Sequence, residues 1–160
     1  MEIIEIGAIV VDDKFEIVSE FQCFVKPMKH RQLTPFCMEL TTIKQTDVDS
    51  AEPFEIVIPK FLDWVDEAVG DNHYDFYSWG MFDKNILKRQ VDELIPEESG
   101  DYIFDVHINA KREFAKHNKL KREMGVGSAL RFKKMQFEGT PHRALDDTRN
   151  ILKLIKTFKG

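Results

Sequence analysis

His142, Asp146 and Asp147 stand within one short stretch, Thr140-Pro141-His142-Arg143-Ala144-Leu145-Asp146-Asp147-Thr148. Side chains of these types can do chemistry together, since an imidazole exchanges a proton near neutral pH and neighbouring carboxylates attract divalent cations. The same stretch opens an amphipathic C-terminal helix. Ala144, Leu145, Thr148, Ile151, Leu152, Ile155 and Phe158 follow the helical period, with Thr140 as a candidate cap and Pro141 suited to a first turn. Acidic residues are favoured near a helix start by the exposed amides and the helix dipole. A purely structural explanation of the two aspartates therefore stands beside the chemical one, and on this stretch alone it is the stronger.

The elements that must position such residues are those of an α/β domain. Residues 2–11 and 15–25 read as strands joined by the polar Asp12-Asp13-Lys14 turn, with Pro27 ending the second. A polar segment over 26–53 follows, in which Phe36 reads as a side chain pinning the loop to the core. Phe54, Val57, Ile58, Phe61, Leu62, Val65 and Val69 predict a helix with one buried face, kinked at Pro59. Residues 76–79 read as a short buried strand, after which Gly80 lets the chain turn into a helix containing Ile86 and Leu87. Asp83 then lies where a strand hands over to a helix, a common place for functional groups in open α/β sheets, although a capping role would also explain it. Residues 103–106 read as a last strand.

A chain of 160 residues with 42% hydrophobic content can bury one sizeable core, so a single domain over 1–160 is expected. No apolar run reaches membrane-spanning length, and the acidic Met1-Glu2-Ile3-Ile4-Glu5 start is unlike a signal peptide, which points to the cytoplasm. Cys23 and Cys37 lack metal-ligand spacing and read as reduced, partly buried thiols. His30, His73, His107 and His117 read as surface residues. The net charge of −5 is unevenly spread. Lys111, Arg112, Lys116, Lys119, Lys121, Arg122, Arg131, Lys133 and Lys134 crowd one region, which suits either a phosphate backbone or a solvated helix face.

Taken as an ordered set, these stretches resemble the DEDDh family of 3′-to-5′ exonucleases. His142-x-Ala144-x-x-Asp147 is similar to its third motif, Ser78-Trp79-Gly80-Met81-Phe82-Asp83 to its second, and Glu2-Ile3-Ile4-Glu5-Ile6-Gly7 to its second strand. Segments 36–45 and 125–130 resemble the branch that trims short RNAs and histone messenger RNA 3′ ends, and its bacterial relatives related to a sporulation inhibitor. The set covers nearly the whole chain, and is far more specific than any one member. It implies a ribonuclease-H-like, three-layer α/β fold with a mixed central sheet flanked by helices. It also implies release of nucleoside 5′-monophosphates from single-stranded RNA, with DNA open, by hydrolysis with two Mg2+ or Mn2+ ions. By resemblance Asp147 is a metal ligand, Asp83 an outer or water-bridged one and His142 the general base, while Thr41, Thr42 and Gln45 touch the 3′-terminal nucleotide. In a continuous helix the i+4 neighbour of His142 is Asp146, so the family's pairing with Asp147 requires His142 to precede the helix proper; Asp146 then has a supporting or capping role.

The family's first motif, Asp-x-Glu on a strand before the Glu-Ile-Ile-Glu-Ile-Gly strand, is absent. Glu2 and Glu5 do not replace it, because they match the following strand, which runs antiparallel to the missing one. On the resemblance, the absent pair supplies most of the direct metal bonds, and two carboxylates hold magnesium poorly. The strand is also central, so its loss uncovers half of the apolar run from Ile3 to Val11. The expectation is an N-terminally incomplete exonuclease domain, with Met1 internal to a longer protein. The alternative is a catalytically inactive exonuclease-like module that binds RNA or a protein. A third reading is an α/β domain whose aspartates only cap helices.

Overall fold

The apolar run of β1, Glu5–Val11, pairs antiparallel with β2, Ile17–Phe24, in a register running from Glu5 opposite Phe24 to Val10 opposite Ser19. The computed structural model describes all residues, 1–160. Both strands are shorter than the sequence pattern predicts. Glu2 is withdrawn from the sheet because its carboxylate accepts the backbone N–H groups of Met28, Lys29 and His30 at 2.9 to 3.0 Å. At the other end Phe15 takes a left-handed backbone, φ +62°, in a turn held by Asp12 Oδ1, which accepts the N–H groups of Lys14 and Glu16. Every residue of β1 is half-buried and none is fully buried.

The chain forms two compact units, residues 1–72 with 139–148, and residues 73–138 with 149–160. In the first unit the segment after β2 carries α1, Pro35–Thr41, and α2, Gln45–Asp49, followed by α3, Phe54–Val69. Thr34 caps α1 by accepting the Cys37 N–H at 3.0 Å, and Pro35 fills the first helical position. Leu33, Ile43 and Val48 form the local core with Ile4, Phe24, Cys37 and Met38 packed on it. Phe36 does not pin this loop, contrary to expectation. It is 73% exposed, because Leu33 and Ile43 already fill the core and the helical phase of α1 turns Phe36 outward. α3 buries the predicted face and runs through Pro59 as one helix. Its Trp64 donates Nε1–H to Ser19 Oγ at 2.9 Å, and its Phe61 and Trp64 rings flank Phe21 of β2.

In the second unit β3, Phe76–Ser78, pairs in parallel with β4, His107–Asn109. In place of the expected mixed central sheet the strands form two separate two-stranded sheets, one antiparallel and one parallel. Between β3 and β4 lie α4, Phe82–Leu94, a short 3-10 turn at Pro96–Glu98, and α5, Tyr102–Asp105. Residues 103–106 are therefore not a strand: Asp101 caps a helical turn by accepting the Ile103 N–H at 3.0 Å, and pairing begins only at His107. α6, Ala110–His117, and α7, Val126–Phe132, follow. Phe114, Ala129, Leu130 and Leu154 are the core, the last supplied by the C-terminal helix α8, Ala144–Lys159. Both cysteines are free and half-buried, and no helix is long and apolar enough to cross a membrane.

His30, His73 and His117 are exposed as expected, but His107 is not a surface residue. Its Nε2 shares a 2.6 Å hydrogen bond with Ser78 Oγ across β3 and β4, and its ring meets Phe76 edge-on. Desolvation, with Lys84 adding to it, holds its pKa below the ordinary value.

Two outcomes follow from this packing. A Cβ on Gly7 of β1 would overlap the backbone of Ala144 and Leu145 at the start of α8. Gly7→Ala is expected to lower unfolding free energy by more than about 2 kcal/mol in denaturant titration, because backbone rather than a flexible side chain must move. For His107, the unfolded chain binds the proton at higher pH than the folded one, so its contribution to stability is present above about pH 6.5 and is lost as pH falls toward the depressed folded value. Melting temperatures measured from pH 7 to pH 5 should fall less steeply in His107→Gln than in the parent.

Candidate active site

The predicted cap of α8 is not the one observed. Thr140 only accepts the Arg143 N–H, at 3.3 Å, in a turn, and Pro141 lies in that turn outside the helix, which starts at Ala144. His142 consequently precedes the helix proper and is exposed, with a left-handed backbone at φ +65°. That conformation is uncommon for a residue with a side chain and marks a position worth testing for function. The His142 N–H donates to Asp147 Oδ1 at 3.1 Å, so the histidine and the aspartate five residues on meet without helical phase relating them. Asp146 plays the supporting part: its Oδ2 accepts the Thr140 N–H at 2.9 Å. Gly139, at φ +92°, leaves the space in which the Asp146 carboxylate sits, and any side chain there would collide with it.

The true cap comes from β1. Glu5 Oε1 accepts the Ala144 N–H at 3.0 Å and the Arg143 Nε–H at 3.1 Å, while Oε2 accepts from an Arg143 terminal nitrogen at 3.0 Å and from Gln22 Nε2 at 2.7 Å. Only 5% of the Glu5 side chain remains exposed. The two-pronged pairing with Glu5 holds the Arg143 guanidinium pKa above its ordinary value, and the guanidinium also lies over the Phe24 ring at 5.4 Å. Thr148 Oγ1 is in reach of the carbonyls of Gly7, at 3.0 Å, and Ala144, at 2.8 Å, tying the next turn of α8 to the same strand. Sequence reasoning missed Glu5 and Arg143 as parts of this site. The available signal was a carboxylate placed in an otherwise apolar strand. Both Glu2 and Glu5 are fully engaged with other donors, which agrees with the reading that neither replaces the first motif.

Asp83 belongs to the second unit, in the first turn of α4. Gly80, at φ +97°, makes the turn out of β3, and its N–H donates to Asn109 Oδ1 at 3.1 Å. Asn109 also accepts the Arg112 N–H and so caps α6. Ser78 Oγ reaches the Gly80 carbonyl at 3.1 Å. Asp83 is open to solvent, yet desolvation raises its carboxyl pKa. The two observations concern different things: its surface touches water, while the surrounding volume is largely protein, as for a group in a recess.

Of the three residues expected at the substrate, Thr41 Oγ1 donates to the Cys37 carbonyl and accepts the Ile43 N–H. Gln45 accepts the Leu33 N–H at 2.7 Å and donates to the Arg31 carbonyl and to Asp49. Thr42 is exposed at φ +63°, an unusual backbone for a β-branched residue. In the basic segment Arg112, Lys116, Lys119, Lys121, Arg122, Arg131 and Lys134 are exposed. No group of three or more His, Cys, Asp or Glu side chains converges to hold a metal ion.

Comparison with known proteins places this geometry in context. The chain is 30% identical to human ERI1 exoribonuclease 3 over 161 residues, covering 98% of this chain and 48% of that protein. It is 28% identical to human ERI1 exoribonuclease 2, covering 93% of this chain and 24% of that protein. It thus spans between about a quarter and a half of these curated relatives. The solved nuclease domain of 3′hExo, a DEDDh family member bound to rAMP, superposes with a TM-score of 0.87 at 29% identity, covering 96% of this chain and 78% of that one. The fold is accordingly the mixed α/β, ribonuclease-H-like fold of such exonucleases. Residues 1–155 match the exonuclease family RNase_T, and the chain belongs to that family.

Proposed function

We propose that this chain is the nuclease domain of a 3′-to-5′ exonuclease acting on single-stranded RNA, with His142 as general base and Asp147 and Asp83 as carboxylates of the metal-binding side. The observation that carries the reading is the placement of His142 outside α8, at φ +65° and with its amide on Asp147. A histidine whose backbone amide, rather than its ring, is tied to a carboxylate keeps its imidazole free to accept the proton of a water that attacks the terminal phosphodiester. The phosphorus forms a bond to that water oxygen, the bond to the 3′ oxygen of the preceding nucleotide breaks, that oxygen takes up a proton to become the new 3′ hydroxyl, and a nucleoside 5′-monophosphate leaves.

The preference for RNA is supported by the exoribonuclease relatives and by a neighbour described as recognising a histone messenger RNA stem-loop. The exposed basic residues of 112–134 suit a phosphate backbone. Thr42, with Thr41 and Gln45 holding its loop, is a candidate contact for the 3′-terminal nucleotide. Exonucleases of this kind use divalent ions, here Mg2+ or Mn2+. Asp83 and Asp147 would be two of the carboxylates that hold them, and such ions require further oxygen ligands. The alternative reading is a catalytically inactive exonuclease-like module that binds RNA or a protein.

The protein expressed from its own gene, assayed on 3′-labelled single-stranded RNA with Mg2+ or Mn2+, separates the two. The exonuclease reading expects stepwise release of 5′-monophosphates. It also expects that Asp147→Asn, Asp83→Asn and His142→Ala each lower kcat/KM by about 100-fold or more with unchanged circular dichroism. Parent-like turnover in any of the three would sink the assignment. RNA binding that persists in chelator, with no hydrolysis by the parent, would establish the inactive module.

A further inference from the structure

The turn that carries His142 is aimed from β1. We propose that Glu5 and Arg143 are positioning residues for the His142 and Asp147 pair, an inference that rests on the reading that those two side chains act in catalysis. Arg143 directly follows His142, and its carbonyl accepts the Asp147 N–H at 2.9 Å. The Arg143 guanidinium and the Ala144 N–H both donate to one carboxylate, Glu5, so the Arg143 side chain and the peptide unit joining Arg143 to Ala144 are fixed to a single point on a strand. That point sets the angle at which residues 140–143 leave α8. It sets the rotation of its first turn as well. The separation between the His142 ring and Asp147 follows from both.

Glu5 is itself held from the opposite side by Gln22 Nε2 of β2, at 2.7 Å, and is almost wholly buried, so it cannot swing to follow a drifting loop. A left-handed residue such as His142 persists only where its neighbours over-determine it, and this carboxylate supplies that constraint. The substitutions that respect size expose the requirement. In Glu5→Gln an amide group would replace one acceptor oxygen in a site where every partner is a donor. Arg143→Lys keeps the charge but loses the fork that engages both oxygens.

The test uses the protein from its own gene and reads geometry and turnover separately. Hydrogen exchange at the His142 amide, followed by NMR, reports its bond to Asp147. Amides of β3 and β4 report whether the remainder is folded. Both Glu5→Gln and Arg143→Lys are expected to speed exchange at His142 by about 10-fold or more while leaving β3 and β4 unchanged. Both should lower kcat by about 10- to 100-fold with KM within about twofold, the pattern of a misplaced base rather than lost binding. Parent-like exchange at His142 in either folded variant overturns the proposal, as does altered exchange with parent-like kcat. If Glu5→Gln does not fold, Arg143→Lys decides alone. Faster exchange in the variants together with no cleavage by the parent supports the clamp and overturns the catalytic reading instead.

Discussion

A single buried carboxylate joins the first strand to the last helix of this chain. Glu5 accepts four hydrogen bonds, two from Arg143, one from the Ala144 amide and one from Gln22. A charge so far from water is tolerable only because both oxygens are satisfied and a full positive charge lies against it. Loss of Arg143 would leave the Glu5 carboxylate, 5% exposed, without its counter-charge, whereas Arg143, 28% exposed, still reaches water when Glu5 is lost. Gly7 completes the arrangement by letting the α8 backbone approach β1 more closely than any side chain would permit. The start of α8 and the turn that precedes it are tied to β1 through this contact.

The two candidate parts of the site follow a common local rule. On each, a residue in left-handed conformation breaks the phase of the chain just before a helix: Gly80 before α4 and His142 before α8. Asp83 and Asp147 then fall in the opening turn of their helices, where free amides and the helix dipole favour a carboxylate. Each turn is also fastened from a neighbouring strand, by Asn109 of β4 in one case and Glu5 of β1 in the other. At α8 a polar group within a strand thus does the work that a local capping residue would do in an isolated helix, whereas Asn109 holds the turn before α4 without capping that helix.

This explains what was legible in the sequence and what was not. The buried face of α3 and the strand-to-helix junction at Asp83 could be read, since each depends on residues close together in the chain, whereas the pairing of His142 with Asp147 came from the family resemblance and not from helical spacing. The start of α8 could not. Its cap is contributed by Glu5, and no local pattern around Thr140 and Pro141 announces a partner so distant in sequence. The same holds for His107, whose burial depends on Ser78 and Phe76 across a strand pair. Residues 103–106 have strand-like composition, yet Asp101 in front of them caps a helical turn. Phe36 was misread because apolar character alone does not say which side of a short helix meets a core already filled by Leu33 and Ile43.

Asn150 carries one further consequence. It is completely buried on α8, and its amide accepts the Glu138 N–H at 3.0 Å and donates to the Glu138 carbonyl at 2.8 Å, as a neighbouring strand would. The segment before it is laced to the same helix, since Lys153 donates to the Gln136 carbonyl at 2.8 Å. The loop 139–143 therefore begins and ends on one helix, and its closure entropy is met by contacts that lie outside it. Doubling the length of such a loop costs only about 0.6 kcal/mol. The value of this lacing lies less in stability than in narrowing the set of positions that the His142 ring samples.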